Sequence, residues 1–145
     1  MTEKEYGQLV AQMSPKSGLK KDCIWAFAVG GLICTLGQLL ITFYTSLKLS
    51  SQDAALASSI TLVALSALLT GLSLYDDIAR YAGAGTLVPI TGFANAVSSA
   101  AVEFKSEGFV TGEGAKMFTI AGPVIVYGTA ASVVYGFIYW LFTRL

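Results

Sequence analysis

Asn95 places a polar amide in a charge-free stretch of the chain, with Ser98 and Ser99 close behind it. At membrane depth such a group either hydrogen-bonds a neighbouring helix or faces a solute path. Pro89, Thr91 and Gly92 lie just before it, and Glu103, Lys105, Glu107 and Lys116 lie just after. Pro123 interrupts the next apolar arm. A proline cannot donate its backbone hydrogen, and a glycine weakens any helix that continues through it. Paired Pro/Gly interruptions in two apolar segments are the sequence sign of broken transmembrane helices around a solute site. The free amides at the start of a half-helix carry partial positive charge and attract anions. Lys105 and Lys116 add cationic charge for an anionic solute, and Glu103 and Glu107 suit its metal counterion. These residues, Pro89 to Pro123, are the pore-lining or solute-facing candidates.

No catalytic constellation accompanies them. The chain has no Gly-x-Ser-x-Gly elbow, phosphate-cradling loop, His-Glu-x-x-His or Cys-x-x-Cys. Histidine is absent, which removes the usual neutral-pH base and the commonest metal ligand. Gly83-Ala-Gly85 lacks the third glycine, strand and acid of a dinucleotide fingerprint. The reading is a non-enzyme with neither cofactor nor resident metal. A formal net charge of zero gives no basic face for nucleic acid.

The elements that must hold these residues are apolar. Hydrophobic residues make up 54% of the 145 and charged residues 12%, about half the charge of a soluble domain. Four stretches carry no charge: Cys23 to Leu47, Ala54 to Tyr75, Tyr81 to Val102, and Met117 to Thr143. Each reaches the roughly 20 residues a bilayer-spanning helix requires. The expectation is an all-α integral membrane protein with about four transmembrane helices. The third and fourth are interrupted by proline and glycine.

Residues 1–22 read as an N-terminal amphipathic helix and linker, and 23–145 as the transmembrane domain. Thr2 and Glu5 have capping-box spacing, and Tyr6, Leu9, Val10 and Met13 make one apolar stripe. That helix is expected to lie in the headgroup layer of the bilayer. Ser14-Pro15-Lys16-Ser17-Gly18 breaks it. The polar leader and long apolar run do not fit a cleavable signal peptide. Cys23 and Cys34 sit about 16 Å apart along one helix, out of disulfide reach, and are read as buried thiols that act as small apolar side chains. Asp76, Asp77 and Arg80 read as a solvated loop, and Glu103 to Lys116 as a mobile charged hinge. On four spans, six basic residues share one side with both termini, which therefore face the cytoplasm. Four helices rarely enclose a pore alone, so assembly with other subunits is expected.

Three segments also carry a resemblance: Gly-Ala-Gly-Thr-Leu-Val-Pro-Ile-Thr-Gly-Phe-Ala-Asn (83–95), Glu-Phe-Lys-Ser-Glu-Gly-Phe (103–109) and Ala-Lys-Met-Phe-Thr-Ile-Ala-Gly-Pro-Val-Ile-Val-Tyr-Gly (115–128). There the chain resembles the stage V sporulation SpoVA membrane family, and its leader through Gly18 is most similar to the AC type. The resemblance implies a subunit of the spore (forespore) inner membrane that moves dipicolinic acid, as its calcium chelate, in sporulation and germination. It further implies a gated, tension-sensitive channel. The partners it implies are a SpoVAD-like soluble subunit and a SpoVAE-type membrane subunit. The alternative is a non-conducting membrane scaffold that docks a soluble partner.

Overall fold

A computed structural model describes residues 2–13 and 18–144, and the described residues contain helices and turns without a strand. In chain order the helices are α1 (Glu3–Met13), α2 (Leu19–Ser46), α3 (Ser51–Gly71), α4 (Tyr75–Ala82), α5 (Ala84–Leu87), α6 (Ile90–Glu103) and α7 (Ala115–Arg144). Three of them, α2, α3 and α7, are long and apolar enough to cross a bilayer.

The capping box forms at α1, where the Thr2 amide donates to Glu5 Oε2 at 2.7 Å and the Glu5 amide to Thr2 Oγ1 at 3.4 Å. Tyr6, Leu9, Val10 and Met13 are all exposed on it. Of the expected helix break, Ser14 to Ser17 lie outside the described residues.

Helices α2 and α3 run antiparallel across a four-residue turn. Ser50 caps α3 by accepting from the Asp53 amide at 3.2 Å. The two helices approach where Gly37 removes a side chain. Ser58 Oγ donates to the Gly37 carbonyl at 3.1 Å, and Tyr44 and Thr61 hydroxyls meet at 2.7 Å. Ala54, Ser58, Ser66 and Thr70 are the buried residues of α3. Their spacing in multiples of four makes one small, hydroxylated face turned into the protein. The larger apolar side chains of both helices point outward, as lipid contact demands.

The chain then departs from four spans. Where the sequence suggests a third spanning helix, residues 75–103 form a broken hairpin of α4, α5 and α6, none of them long enough to span alone. Asp76, Asp77 and Arg80 belong to α4 rather than to a loop. Acids in its first turn and a cation in its last complement the helix dipole. Gly83 (φ 50°) ends α4 in a conformation that favours glycine. Pro89, extended at ψ 161°, separates α5 from α6.

Hydrogen-bond register fixes the hairpin's path. Ser66 pairs with Thr91 and Thr70 with Asn95, so α6 runs parallel to α3. The hairpin therefore enters beside the C-terminal end of α3, turns near Pro89 and returns to the same end. Its apex shares a groove with Gly30, Gly31 and Cys34, near the middle of α2.

The stretch after α6 is ordered rather than a loose hinge. A 3-10 turn, Lys105–Glu107, is followed by a π turn, Phe109–Gly114. Gly112 is buried at their junction, where a Cβ would sit 2.6 Å from the Phe104 carbonyl oxygen. The fourth apolar segment is not interrupted: α7 runs through Pro123 as one helix. A proline costs a single backbone bond there, which membrane helices accommodate by local adjustment. Ala121 and Ile125 of α7 share an apolar groove with Phe93 and Val97 of α6, while Lys116 meets Phe104. Thus α7 runs antiparallel to α6, and its outer half is exposed along its length.

Candidate functional site

The hairpin is seated by glycine. At Gly85 a Cβ would fall 2.8 Å from Ala26 Cα and overlap its carbonyl oxygen, so α5 lies directly on the backbone of α2. Gly30 completes the contact, its own Cβ position lying 3.2 Å from the Gly85 carbonyl oxygen. Gly92 is buried in the same way against Thr86 and Leu87, with Leu87 C at 2.8 Å from its Cβ position. Backbone approaches of this kind are how membrane helices gain dispersion energy without a hydrophobic drive.

Breaking a helix at that depth frees polar backbone, and unsatisfied groups in hydrocarbon cost several kcal/mol each. Side chains from three elements cover them. The Tyr75 hydroxyl donates to the Thr86 carbonyl at 3.0 Å and lies 3.0 Å from Thr91 Oγ1. Ser66 Oγ donates to the Thr91 carbonyl at 2.6 Å, and Thr86 Oγ1 donates to the Gly83 carbonyl at 3.0 Å. All four residues are buried, Ser66 at 1% exposure. One turn further along α6, Thr70 Oγ1 lies 2.7 Å from the Asn95 amide oxygen while also donating to the Ser66 carbonyl at 2.8 Å. A threonine has a single hydroxyl proton. Both contacts are satisfied together when the Asn95 amide is turned so that its NH2 donates to Thr70. Among the described residues, every buried side-chain nitrogen and oxygen has a partner.

From Thr70 a polar crevice opens toward the end of the bundle. Its lining is Thr70, Ser73, Asp76, Ser99, Val102 and Glu103, with a cavity volume of about 220 Å³. Hydroxyls line its floor and two carboxylates its rim. In the other direction the walls are apolar: Val63, Ile90, Phe93, Val97 and Ile125. The polar crevice thus lies at the C-terminal turn of α6, whereas the start of that helix at Ile90 borders a separate apolar groove.

The sequence candidates divide accordingly. Pro89, Thr91 and Gly92 lie at the break, Asn95 pairs with Thr70 one turn further on, and Glu103 lines the crevice with Thr70 at the other end of α6. Lys105 and Glu107 lie exposed on the 3-10 turn, apart from the crevice. Lys116 stands over the Phe104 ring, Nζ 4.4 Å from its centre, a cation–π contact that holds the start of α7. Pro123 is on α7, outside the crevice. Ser66, Thr70, Tyr75 and Thr86 complete the site without having been singled out in the sequence. The available signal was the i, i+4 pair Ser66 and Thr70 within an uncharged span. Tyr75 and Thr86 gave none, because their role depends on the hairpin bringing them together.

Comparison with known proteins places these features in context. Residues 22–138 match the family described as SpoVAC/SpoVAEB sporulation membrane protein. The chain is similar to Stage V sporulation protein AC of Bacillus subtilis (strain 168), 44% identical over 144 residues, covering 99% of this chain and 96% of that protein. No solved structure matches it.

Proposed function

This chain belongs to the SpoVAC/SpoVAEB family of sporulation membrane proteins, and on that premise we propose that it is a conducting subunit for a small dicarboxylate. The solute is dipicolinic acid as its calcium chelate, moved across the spore inner membrane in sporulation and germination. A SpoVAE-type membrane subunit and a SpoVAD-like soluble subunit act with it. One observation carries the reading: the hydroxyl-lined break before α6 lies inside the bundle, and the Thr70–Asn95 pair links it to a polar crevice at the C-terminal end of α6. The start of α6 at that break carries the partial positive charge that favours a carboxylate. The rim carboxylates Asp76 and Glu103 suit the calcium of a chelate. Tension would act by drawing the hairpin away from α2 and α3, which opens the apolar groove beside the start of α6.

The apolar walls beyond Phe93 and Ile125 mean that one chain supplies half of a path. A second membrane subunit is needed to continue it. The test is reconstitution of the purified chain in liposomes, alone and with its membrane partner, following dipicolinate leak. Flux from the pair that falls on Asn95→Ala with assembly intact supports conduction through this crevice. Unchanged flux in that variant refutes it.

A non-conducting scaffold that docks a soluble partner has one observation in its favour. Every buried polar side-chain atom at the break already has a bond within the chain, so none waits for a solute. Flux from the membrane partner alone, equal to that of the pair, would establish that role.

A further inference from the structure

The hairpin changes which residues share a side of the membrane. Helix α6 returns to the end at which α4 began, so α7 starts from that end too. Lys4, Lys16, Lys20, Lys21, Arg80, Lys105 and Lys116 then fall on one side, with only Lys48 and Arg144 on the other. That is seven of nine basic residues, against six of nine on four crossings. Arg80 is fixed to the crowded side independently, because it lines a groove with Asp22 and Cys23 at the start of α2. Orientation follows the count of Lys and Arg near span ends, while acidic residues contribute little. The lone Asp53 on the sparse side is therefore no counterweight.

The geometry points to a chain that crosses the bilayer three times, with its N-terminus in the cytoplasm and its C-terminus on the opposite face. The 75–103 hairpin dips in from the cytoplasmic side and returns. Length supports the dip, since an apolar helix of 14 residues is short of a crossing and within the range of re-entrant segments. So does the satisfied backbone at its apex, the condition for irregular structure at membrane depth. Two consequences follow for any ligand of the crevice. Its mouth, with Asp76 and Glu103, opens to the cytoplasm, and the turns from Lys105 to Gly114 form a cytoplasmic ledge beside it. The outer face offers only the Leu47–Ser50 turn and the end of α7.

Site-directed labelling decides this without reference to transport. In a background with Cys23→Ala and Cys34→Ala, single cysteines are placed by Gln52→Cys, Asp77→Cys and Ser106→Cys, and a fourth is added after Leu145. Intact cells are treated with a membrane-impermeant maleimide. Gln52→Cys and the C-terminal cysteine label in intact cells, whereas Asp77→Cys and Ser106→Cys label only after permeabilisation. Labelling of Asp77→Cys and Ser106→Cys from opposite faces would overturn the hairpin in favour of a crossing third helix. Labelling of both from outside would overturn the orientation, as would any site reacting from both faces. Where a cysteine variant fails to reach the membrane, paired C-terminal fusions to alkaline phosphatase and green fluorescent protein in the unaltered chain replace it. Enzymatic activity of the first and darkness of the second are expected, and the reverse pattern refutes the three-span path.

Discussion

Thr70 on α3 and Asn95 on α6 are joined side chain to side chain at 2.7 Å, across a sequence separation of 25 residues. The bond closes a polar ladder that starts at Ser66 and Thr91 and ends in a crevice opening at the membrane edge. It also locks α6 into parallel register with α3. Asn95→Ala should weaken this seat by about 0.6 kcal/mol and at most about 1.7 kcal/mol, the average and the maximum found for hydrogen bonds between membrane helices. Thermal unfolding in detergent reads that loss. A much smaller change would mean that the ladder contributes little to holding the hairpin.

Gly85 tests the hairpin's contact with α2 by volume alone. Gly85→Leu places a side chain where Ala26 backbone already stands, so it should displace α5 and destabilise by more than the roughly 1 to 3 kcal/mol of ordinary overpacking. Gly136→Leu is the control, since nothing lies within 4 Å of its Cβ position. Equal melting temperatures for the two variants would refute the close approach.

Tyr75→Phe removes a hydroxyl while leaving the ring in place. The Thr86 carbonyl and the Thr91 hydroxyl lose their shared partner in a buried setting, so the expected cost is about 1 to 3 kcal/mol. Proteolysis of the 83–89 stretch should rise in parallel. If only stability changes and the cleavage pattern stays fixed, the tyrosine supports the bundle rather than the break.

The two membrane prolines should separate cleanly. Pro123→Ala restores a backbone donor inside a continuous helix and is expected to leave both stability and dipicolinate flux nearly unchanged. Pro89→Ala frees the 87–90 junction to become helical and should alter flux. Equal effects from the two would contradict the different roles that a broken and an unbroken helix assign them.

Much of this fold was legible in the chain. Charge-free lengths marked α2, α3 and α7, and Pro89 with Gly83 and Gly92 marked the broken segment. What the sequence could not give was the direction of α6. A 22-residue apolar run is equally long whether it crosses or doubles back, and only the pairing of Ser66 with Thr91 and Thr70 with Asn95 decides. Pro123 misled for a related reason, because the missing donor it signals is tolerable in a helix that faces lipid. Lys105 and Lys116 looked like solute ligands on a loose loop. The structure places Lys105 exposed on a 3-10 turn and Lys116 over the ring of Phe104.

The glycine contact between α5 and α2 has a bearing on biogenesis. A hairpin made of pieces of 8, 4 and 14 residues carries too little greasy length to partition into lipid by itself. It must wait for a receiving cradle formed by the two preceding rods, and nestle there after they have inserted. Maturation of this protein is therefore expected to end with a docking step after those rods insert, and a newly made chain caught before it would hold the hairpin outside the hydrocarbon.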